Sequence, residues 1–253
     1  MSSTKKILVA LMAYAIGATA YAQDDVTIIQ QLTVSVKAGT EPQFEQVVKA
    51  FRDASEKQGI KTYWRASQSL SGDPVYRFAF PMSSWGSLMN PEPDFVKAYG
   101  EAEAARLMGL LSASVVSTHT AFYQQRASIS HPPTNLAKPP EALVIIDFML
   151  NPGTGAQFQE LTMKAKEASV AVRPNDYFVA ATPSYGASGP QTILIVPSMS
   201  DLDKPTPGVG QVITQHFGEQ EGARINALAA QSIASITTTL FRTRPDLTYM
   251  PED

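Results

Sequence analysis

Apolar and polar residues alternate along several short segments of this chain, and between these segments the spacing changes to that of a helix. Residues 27–36, TIIQQLTVSV, alternate with period two, which predicts a strand. In residues 41–59 the apolar side chains recur at the spacing of one helix face, with Thr40 able to cap the start and Gly59 at the stop position. The next segments, KTYWRASQSL and PVYRFAFPM, predict two strands joined by a hairpin turn at 71–73.

The following segments complete a known supersecondary order. Residues 95–114, FVKAYGEAEAARLMGLLSAS, are predicted to form one helix, and residues 115–125, VVSTHTAFYQQ, a fourth strand. The resulting order is β-α-β-β-α-β, the split βαβ or ferredoxin-like unit. Such a unit covers one face of its sheet with two helices and leaves the other face open, so the open face needs a partner.

The same order occurs twice, because the chain repeats itself. Residues 100–126 and 218–244 align without a gap and share ten identical positions of 27, where average composition gives about one or two. Upstream, the segment GDPVYRFAFPMSS at 72–84 aligns with SGPQTILIVPSMS at 188–200. A period of more than 100 residues excludes a short-period solenoid and indicates a tandem duplication.

The openings of the two halves share the pattern K/N-x-G-T-x-x-Q-F, at residues 37–44 and 151–158. With the paired helix and strand segments, this pattern resembles the dimeric α/β-barrel superfamily, including its antibiotic-biosynthesis-monooxygenase-like and uncharacterised exported members. The resemblance implies an α+β fold in which two ferredoxin-like halves pack sheet to sheet as an intrachain dimeric α/β barrel. It implies no single function, because the superfamily includes cofactor-free monooxygenases, small-molecule-binding proteins and haem enzymes such as the chlorite dismutases.

The repeat and the composition shifts divide the chain into five segments. We assign residues 1–22 to a signal peptide, 23–126 to the first ferredoxin-like half, 127–141 to a linker, 142–244 to the second half and 245–253 to a C-terminal tail. The linker contains four prolines in 15 residues, which predicts an extended and semi-rigid connection.

The N-terminal segment has the order of a secretory signal. Lys5 and Lys6 precede 13 mostly apolar residues at 7–19, and the small-x-small triplet Ala20-Tyr21-Ala22 follows, so cleavage is expected before Gln23. A run of this length is shorter than the roughly 20 residues that span a bilayer. The sequence therefore predicts a periplasmic protein that is free of the membrane after cleavage.

Composition narrows the function classes further. Removal of residues 1–22 takes away two lysines and changes the formal charge from −3 to −5, which leaves no basic surface for nucleic acid. The chain has no cysteine, so disulfides, thiol catalysis and thiolate metal sites are excluded. Its three histidines fit no metal-ligand spacing, and the sequence predicts neither a metal nor a cofactor. A monomer or a homodimer is expected.

Differences between the halves point to a site in the first half. When the first half is aligned with the second, five positions differ in chemistry. These pairs are Trp64 with Phe178, Arg65 with Val179, Arg77 with Ile193, Trp85 with Asp201 and His119 with Thr237. The predicted ligand-binding residues are Trp64, Arg65, Arg77, Trp85 and Tyr123, and His119 is the candidate proton acceptor. Strand alternation places Trp64 opposite Arg65, so these side chains cannot all face one ligand.

Three functions stay open at the level of sequence, and they leave undecided whether the protein is an enzyme. The first is an exported protein that binds a small, partly apolar and anionic or phenolic ligand, or a protein partner. The second is a cofactor-independent monooxygenase-like enzyme, which needs few catalytic side chains because the substrate supplies the reactive carbanion. The third is a haem protein that resembles the chlorite dismutases, for which no histidine lies in a recognisable ligand motif.

Overall fold

The computed structural model describes residues 26–134, 136 and 138–251, and it divides them into two units. Unit 1 runs to Phe122 and also includes the C-terminal segment that begins at Arg244, and unit 2 is Tyr123–Thr243. The predicted signal peptide lies outside the described residues. No helix among the described residues combines the length and the apolar composition that crossing a bilayer requires.

Unit 1 contains three complete strands, three helices and most of a fourth strand. Its elements in chain order are β1 Val26–Val36, α1 Glu41–Lys57, β2 Arg65–Ser69, β3 Val75–Met82, α2 Phe95–Tyr99, α3 Glu101–Ser114 and β4 Val115–Arg126, whose last four residues belong to unit 2. Strands β1 and β2 both pair antiparallel with β3, and β4 lies on the other side of β1. The predicted strands are therefore present, and their order is β4-β1-β3-β2.

One predicted helix is wrong, because the helix expected over residues 95–114 is two helices. Gly100 stands between α2 and α3 with a φ of +80°, a left-handed conformation that favours glycine. The N–H of Gly100 donates to the carbonyl of Val96 and ends α2. The carbonyl of Gly100 accepts the first main-chain hydrogen bond of α3, from the N–H of Ala104. The apolar spacing continues through the break, so periodicity alone could not locate it. Gly218 has the same conformation, with a φ of +83°, at the equivalent position of unit 2.

The start and end of α1 also depend on local chemistry. Gly59 has a φ of +63° just beyond the helix, as its predicted stop position requires. Thr40 precedes the helix, but its hydroxyl donates to the carbonyl of Lys37 at 2.7 Å and accepts no helix N–H. The predicted cap therefore closes the preceding turn instead.

Unit 2 repeats the order of unit 1. Its elements are β5 Ala142–Leu150, α4 Gly155–Val172, β6 Tyr177–Tyr185, β7 Gln191–Val196, α5 Val209–Phe217, α6 Glu219–Ser232 and β8 Ile233–Thr243. The strand order is β8-β5-β7-β6, with antiparallel pairing throughout. This is the order of unit 1 with each strand replaced by its counterpart.

In each unit the helices cover one face of the sheet. In unit 1 the covered face buries one cluster, which includes Val34, Val36, Phe44, Trp64, Ala66, Tyr76 and Phe78. In unit 2 the corresponding cluster includes Phe158, Leu161, Val212, Ile213, Ile225 and Leu228. We call the other side of each sheet its open face. Neighbouring residues of a strand point to opposite sides, so Arg77, between Tyr76 and Phe78, lies on the open face.

The C-terminal segment is part of the unit 1 core. Trp64 and Tyr249 exchange main-chain hydrogen bonds of 3.0 and 3.1 Å, and their rings lie 5.1 Å apart. The indole nitrogen of Trp64 donates to the carbonyl of Leu247 at 2.9 Å, and the Tyr249 hydroxyl donates to the carbonyl of Ile60. Trp64 is thus covered by residues that begin 183 positions further along the chain.

Arg244, at the start of the C-terminal segment, is the centre of a network of charged hydrogen bonds. The Arg244 guanidinium donates to both carboxylate oxygens of Glu45 and to both of Asp246, and it also bonds Gln68. Its hydrogen bonds lower the pKa of Glu45 and lower that of Asp246 to about 2. Burial and the bond to Glu45 raise the pKa of Tyr76, whose hydroxyl stays a neutral donor.

These lowered pKa values predict acid sensitivity of the C-terminal segment. A carboxylate whose pKa is lower in the folded than in the unfolded chain stabilises the fold above the unfolded value, near pH 4, and the contribution disappears as the pH falls toward 2. We expect the urea midpoint of unit 1, followed by Trp64 fluorescence in a Trp85→Phe chain, to fall as the pH is lowered from 5 to 3. The slope should be smaller in Arg244→Met, and an unchanged slope would contradict the assignment.

Candidate functional site

The open face of unit 1 carries a row of polar side chains across the neighbouring strands β1, β3 and β2. Arg77 on β3 lies directly opposite Thr33 of β1 on one side and Ser67 of β2 on the other. Cross-strand partners share a sheet face, so these three residues form one row. Gln31 lies two residues from Thr33 on the same side of β1. We call Gln31, Thr33, Ser67 and Arg77 the open-face site.

Three side chains of this site are polar and uncharged, those of Gln31, Thr33 and Ser67. Gln31 and Ser67 are only 7% and 5% exposed. Across the described residues, no hydrogen bond reaches the side chain of Gln31, Thr33 or Ser67. The polar atoms of these three side chains are not among those that the structure buries completely without a partner, so they stay accessible to water or a ligand.

The contrast with helical serines shows that this is a property of the site. Ser55, Ser114 and Ser232 are also buried, and each donates to the main-chain carbonyl four residues earlier, at 2.6–2.9 Å. Their hydroxyls are satisfied within the helix and need nothing else. A strand offers Ser67 no such carbonyl, since the main-chain groups there are used by neighbouring strands.

Arg77 gives the site its charge. Its half-buried guanidinium is planar, carries five N–H donors and stays protonated, which suits carboxylate and other oxyanions. Arg65 adds a second, exposed cation on the same face, opposite Ala79 of β3. The site therefore combines positive charge with hydroxyl and amide groups that can both donate and accept.

Unit 2 has a polar row at the equivalent positions, but its groups satisfy one another. Asp147 of β5 lies opposite Gln191 of β7, and the Gln191 amide donates to the Asp147 carboxylate at 2.6 Å. Thr237 of β8, the counterpart of His119, is opposite Asp147 on the other side. The amide of this row thus has a protein partner, unlike the amide of Gln31.

This register corrects the sequence alignment. The shared G-T-x-x-Q-F segments make Thr33 equivalent to Asp147, and their cross-strand partners are Arg77 and Gln191. Arg77 therefore corresponds to Gln191 and not to Ile193, because β7 is shifted by two residues relative to the alignment on prolines. Both halves keep a polar residue here, so the difference between them is one of charge.

The structure places the six sequence-predicted residues in different environments. Arg65 and Arg77 share the open face of unit 1. Trp64 lies in the helix-covered core, 3% exposed, where it contacts Phe51, Phe80 and Tyr249. Trp85 begins a 3-10 turn and its ring lies 5.4 Å from that of Phe122. His119 is exposed on β4, and Tyr123 is buried in unit 2.

Three residues of the site were not predicted from the sequence, namely Gln31, Thr33 and Ser67. The signal that could have found them is the alternation in TIIQQLTVSV, which puts Gln31, Thr33 and Ser35 on the face opposite the buried valines. A face that is meant to be covered by another sheet is normally apolar.

The three histidines lie on different parts of the fold. No group of three metal-ligating side chains occurs in the part of the chain that the structure describes. Neither buried apolar cluster includes a histidine. The Nε2 atom of His131 lies 3.0 Å from the carbonyl of Pro174, that of His216 lies 3.7 Å from the Glu167 carboxylate, and His119 is exposed on its strand.

The topology defines the class of fold, and comparisons with solved structures agree. The chain has the α+β fold of the dimeric α/β barrel, built from ferredoxin-like halves, as the sequence predicted. A provisionally assigned monooxygenase from Fusobacterium nucleatum subsp. nucleatum matches with a TM-score of 0.55 and 8% identity, covering 90% of this chain and 99% of that one.

Two further structures show how widely this fold is used. An anthrone oxidase-like protein has a TM-score of 0.52 and 11% identity, covering 88% of this chain and 93% of its own. A chlorite dismutase variant from Candidatus Nitrospira defluvii also has a TM-score of 0.52, with 9% identity and coverage of 86% and 92%. No family model matches the chain, and no curated protein sequence matches it. At these identities the likeness concerns the fold alone.

Proposed function

We propose that the protein binds a small, partly apolar ligand that carries an anionic or phenolic group, at the open-face site of unit 1. The observation that supports this proposal is the row of polar side chains, Gln31, Thr33 and Ser67, that stands beside Arg77 on one sheet face. The guanidinium would fix the charged group of the ligand, and the hydroxyls and amide would complete its hydrogen bonds. We further propose that binding takes place in the periplasm, because of the predicted signal peptide.

The ligand class follows from what the site can and cannot satisfy. Arginine, serine, threonine and glutamine together offer many donors, and no carboxylate belongs to the open-face site itself. Apolar residues continue the same face, since Ala79 lies opposite Gln31 and Pro81 lies opposite Ile29. A ligand with an oxyanion at one end and a ring at the other would use both parts of this surface.

Replacement of Arg77 by glutamine tests the proposal. Arg77→Gln copies the residue at the equivalent position of unit 2 and should therefore leave the fold intact. We expect it to weaken benzoate binding about 10- to 100-fold, the value of one hydrogen-bonded charge pair, while binding of neutral benzyl alcohol is unchanged. Isothermal titration calorimetry on the mature chain measures both ligands.

Arg106→Gln is the matched control, because it removes the same charge from the exposed α3 helix, where Arg106 pairs with Glu103. It should leave benzoate affinity unchanged. Equal loss in both variants would mean that net charge alone attracts the anion. Failure of the native chain to bind benzoate, or Arg77→Gln binding as tightly as the native chain, would refute the proposed site.

A second candidate is cofactor-independent oxygen chemistry at the same site. It is favoured by the fold shared with a provisionally assigned monooxygenase and an anthrone oxidase-like protein, and by polar groups that could hold a phenolate. Oxygen uptake with polyphenolic substrates separates this enzyme from a binding protein. Turnover that disappears in Arg77→Gln would place the reaction at the open-face site, and binding without uptake would favour the first function.

A further inference from the structure

We infer that the two halves of this chain bind each other by exchanging the segments that follow them, and that this binding holds without the peptide connection between the halves. Two segments carry the inference. The linker strap, residues 127–133, follows the first half but belongs to unit 2. The tail strap, residues 245–251, follows the second half but belongs to unit 1. Each unit is therefore completed by a segment that the other half supplies.

The two straps are the same structural element. Each begins with a 3-10 turn, Ala127–Ile129 in the linker strap and Pro245–Leu247 in the tail strap, and the last residue of each turn is buried. The two turns are 118 positions apart, the same separation as between the repeated segments 100–126 and 218–244. The duplication thus continues beyond the fourth strand of each half and includes the straps.

Both straps pair with the outer strand of a sheet in the same way. Tyr249 exchanges main-chain hydrogen bonds of 3.0 and 3.1 Å with Trp64, and His131 exchanges bonds of 2.8 and 2.9 Å with Phe178. The ring centroids are 5.1 Å apart in the first pair and 6.2 Å apart in the second. Trp64 and Phe178 are aligned positions of the two halves, so each unit has one equivalent dock for a strap.

A strap hydroxyl fixes the register at each dock. Thr248 accepts from the N–H of Ala66 at 3.0 Å and donates to the main-chain carbonyl four residues earlier. Ser130 accepts from the N–H of Ala180 at 2.9 Å and also donates to the carbonyl four residues earlier. Ala66 and Ala180 are both buried, so each unit needs the strap hydroxyl as the acceptor for this main-chain N–H.

The occupant of each dock is a segment with the pattern apolar, hydroxyl, ring. This pattern is Ile129-Ser130-His131 in the linker strap and Leu247-Thr248-Tyr249 in the tail strap. The contacts that hold it are hydrogen bonds and buried side chains, which do not require the peptide connection between the linker strap and β5. The two halves should therefore stay bound to each other after that connection is cut.

Cleavage of the connection in the folded mature chain tests the inference. A protease site inserted after Lys138 lies beyond the linker strap and before β5, which begins at Ala142. After complete cleavage we expect the two fragments to elute together and to give a one-to-one complex in native mass spectrometry. Separation of the fragments at micromolar concentration would overturn the inference, because only the covalent connection would then hold the halves.

Strap variants of the cut protein separate the straps from any other attraction between the fragments. Leu247→Ala removes a fully buried side chain of the tail strap and should weaken association of the fragments at least about 20-fold. Met250→Ala shortens an exposed side chain of the same strap and should change it by less than about 2-fold. Equal affinity of the Leu247→Ala and unaltered fragments would overturn the role of the straps.

A milder change in the linker strap decides the question if Leu247→Ala does not fold. Ser130→Ala removes only the hydroxyl that bonds Ala180, and should weaken association about 5- to 10-fold. Ser128→Ala is its control, because Ser128 is exposed in the same strap and should associate like the unaltered protein. The same affinity for both variants would contradict the exchange.

Discussion

A chain that ends at Thr243 should lose the native packing of unit 1. The deletion removes Leu247, which is fully buried, and Tyr249, and it uncovers Trp64. Loss of one buried leucine costs about 2–5 kcal/mol and loss of an aromatic side chain about 3–5 kcal/mol, so the sum reaches the 5–15 kcal/mol that stabilises a typical domain. We expect a red-shifted Trp64 emission in a Trp85→Phe background and loss of the cooperative unfolding transition of unit 1.

Single substitutions in the same segment separate packing from chain length. Leu247→Ala should destabilise unit 1 by about 2–5 kcal/mol in urea unfolding, because it leaves a cavity where the side chain was fully buried. Met250→Ala should change stability by less than about 0.5 kcal/mol, since Met250 is exposed. Native-like Trp64 emission in the truncated chain would show that the segment is dispensable and would contradict this account.

The sequence predicted most of the strands because their alternation is a local signal. The predicted strands β1 and β4 correspond closely to the segments TIIQQLTVSV and VVSTHTAFYQQ. Because the chain is duplicated, the same pattern could be compared in both halves. The break at Gly100 could not be predicted from apolar spacing, because spacing does not report the sign of φ. The packing of Leu247 and Tyr249 against Trp64 was equally unpredictable, because a short aperiodic tail carries no signal of its distant partner.

The site was predicted only in part, and the reason is also physical. Comparison of the halves drew attention to Arg65, where Val179 stands in the second half, and to Arg77, although the strand register makes the counterpart of Arg77 Gln191 and not Ile193. The same comparison also favoured Trp64, because sequence difference does not distinguish a core aromatic from a ligand contact. It missed Gln31, Thr33 and Ser67, whose significance depends on their position beside Arg77 across the sheet, a property of the folded chain.

The two polar rows suggest how a duplicated scaffold acquires one site. In unit 2, Asp147 accepts from Gln191, and the row needs no further partner for that amide. In unit 1, Thr33 replaces the aspartate and Arg77 replaces the glutamine, so that the amide–carboxylate bond is absent and a cation is present. The two rows thus differ at two directly opposed positions, where unit 2 has an amide bonded to a carboxylate and unit 1 has a hydroxyl beside a cation.

Replacement of Gly189 by alanine should strongly destabilise unit 2. A Cβ atom at this position would lie 1.9 Å from the carbonyl oxygen of Phe148, and that strand is held in place by the 2.9 Å bond from the Phe148 N–H to Pro190. The main chain must move, and overpacking together with the weakened hydrogen bond costs about 2–4 kcal/mol. For a unit of this size we expect the calorimetric Tm of unit 2 to fall by about 10–20 °C.

Gly155→Ala is the control, because no atom lies within 4 Å of its added Cβ and its Tm should stay the same or rise slightly. Equal Tm values for the two variants would show that Gly189 does not approach β5 as closely as described.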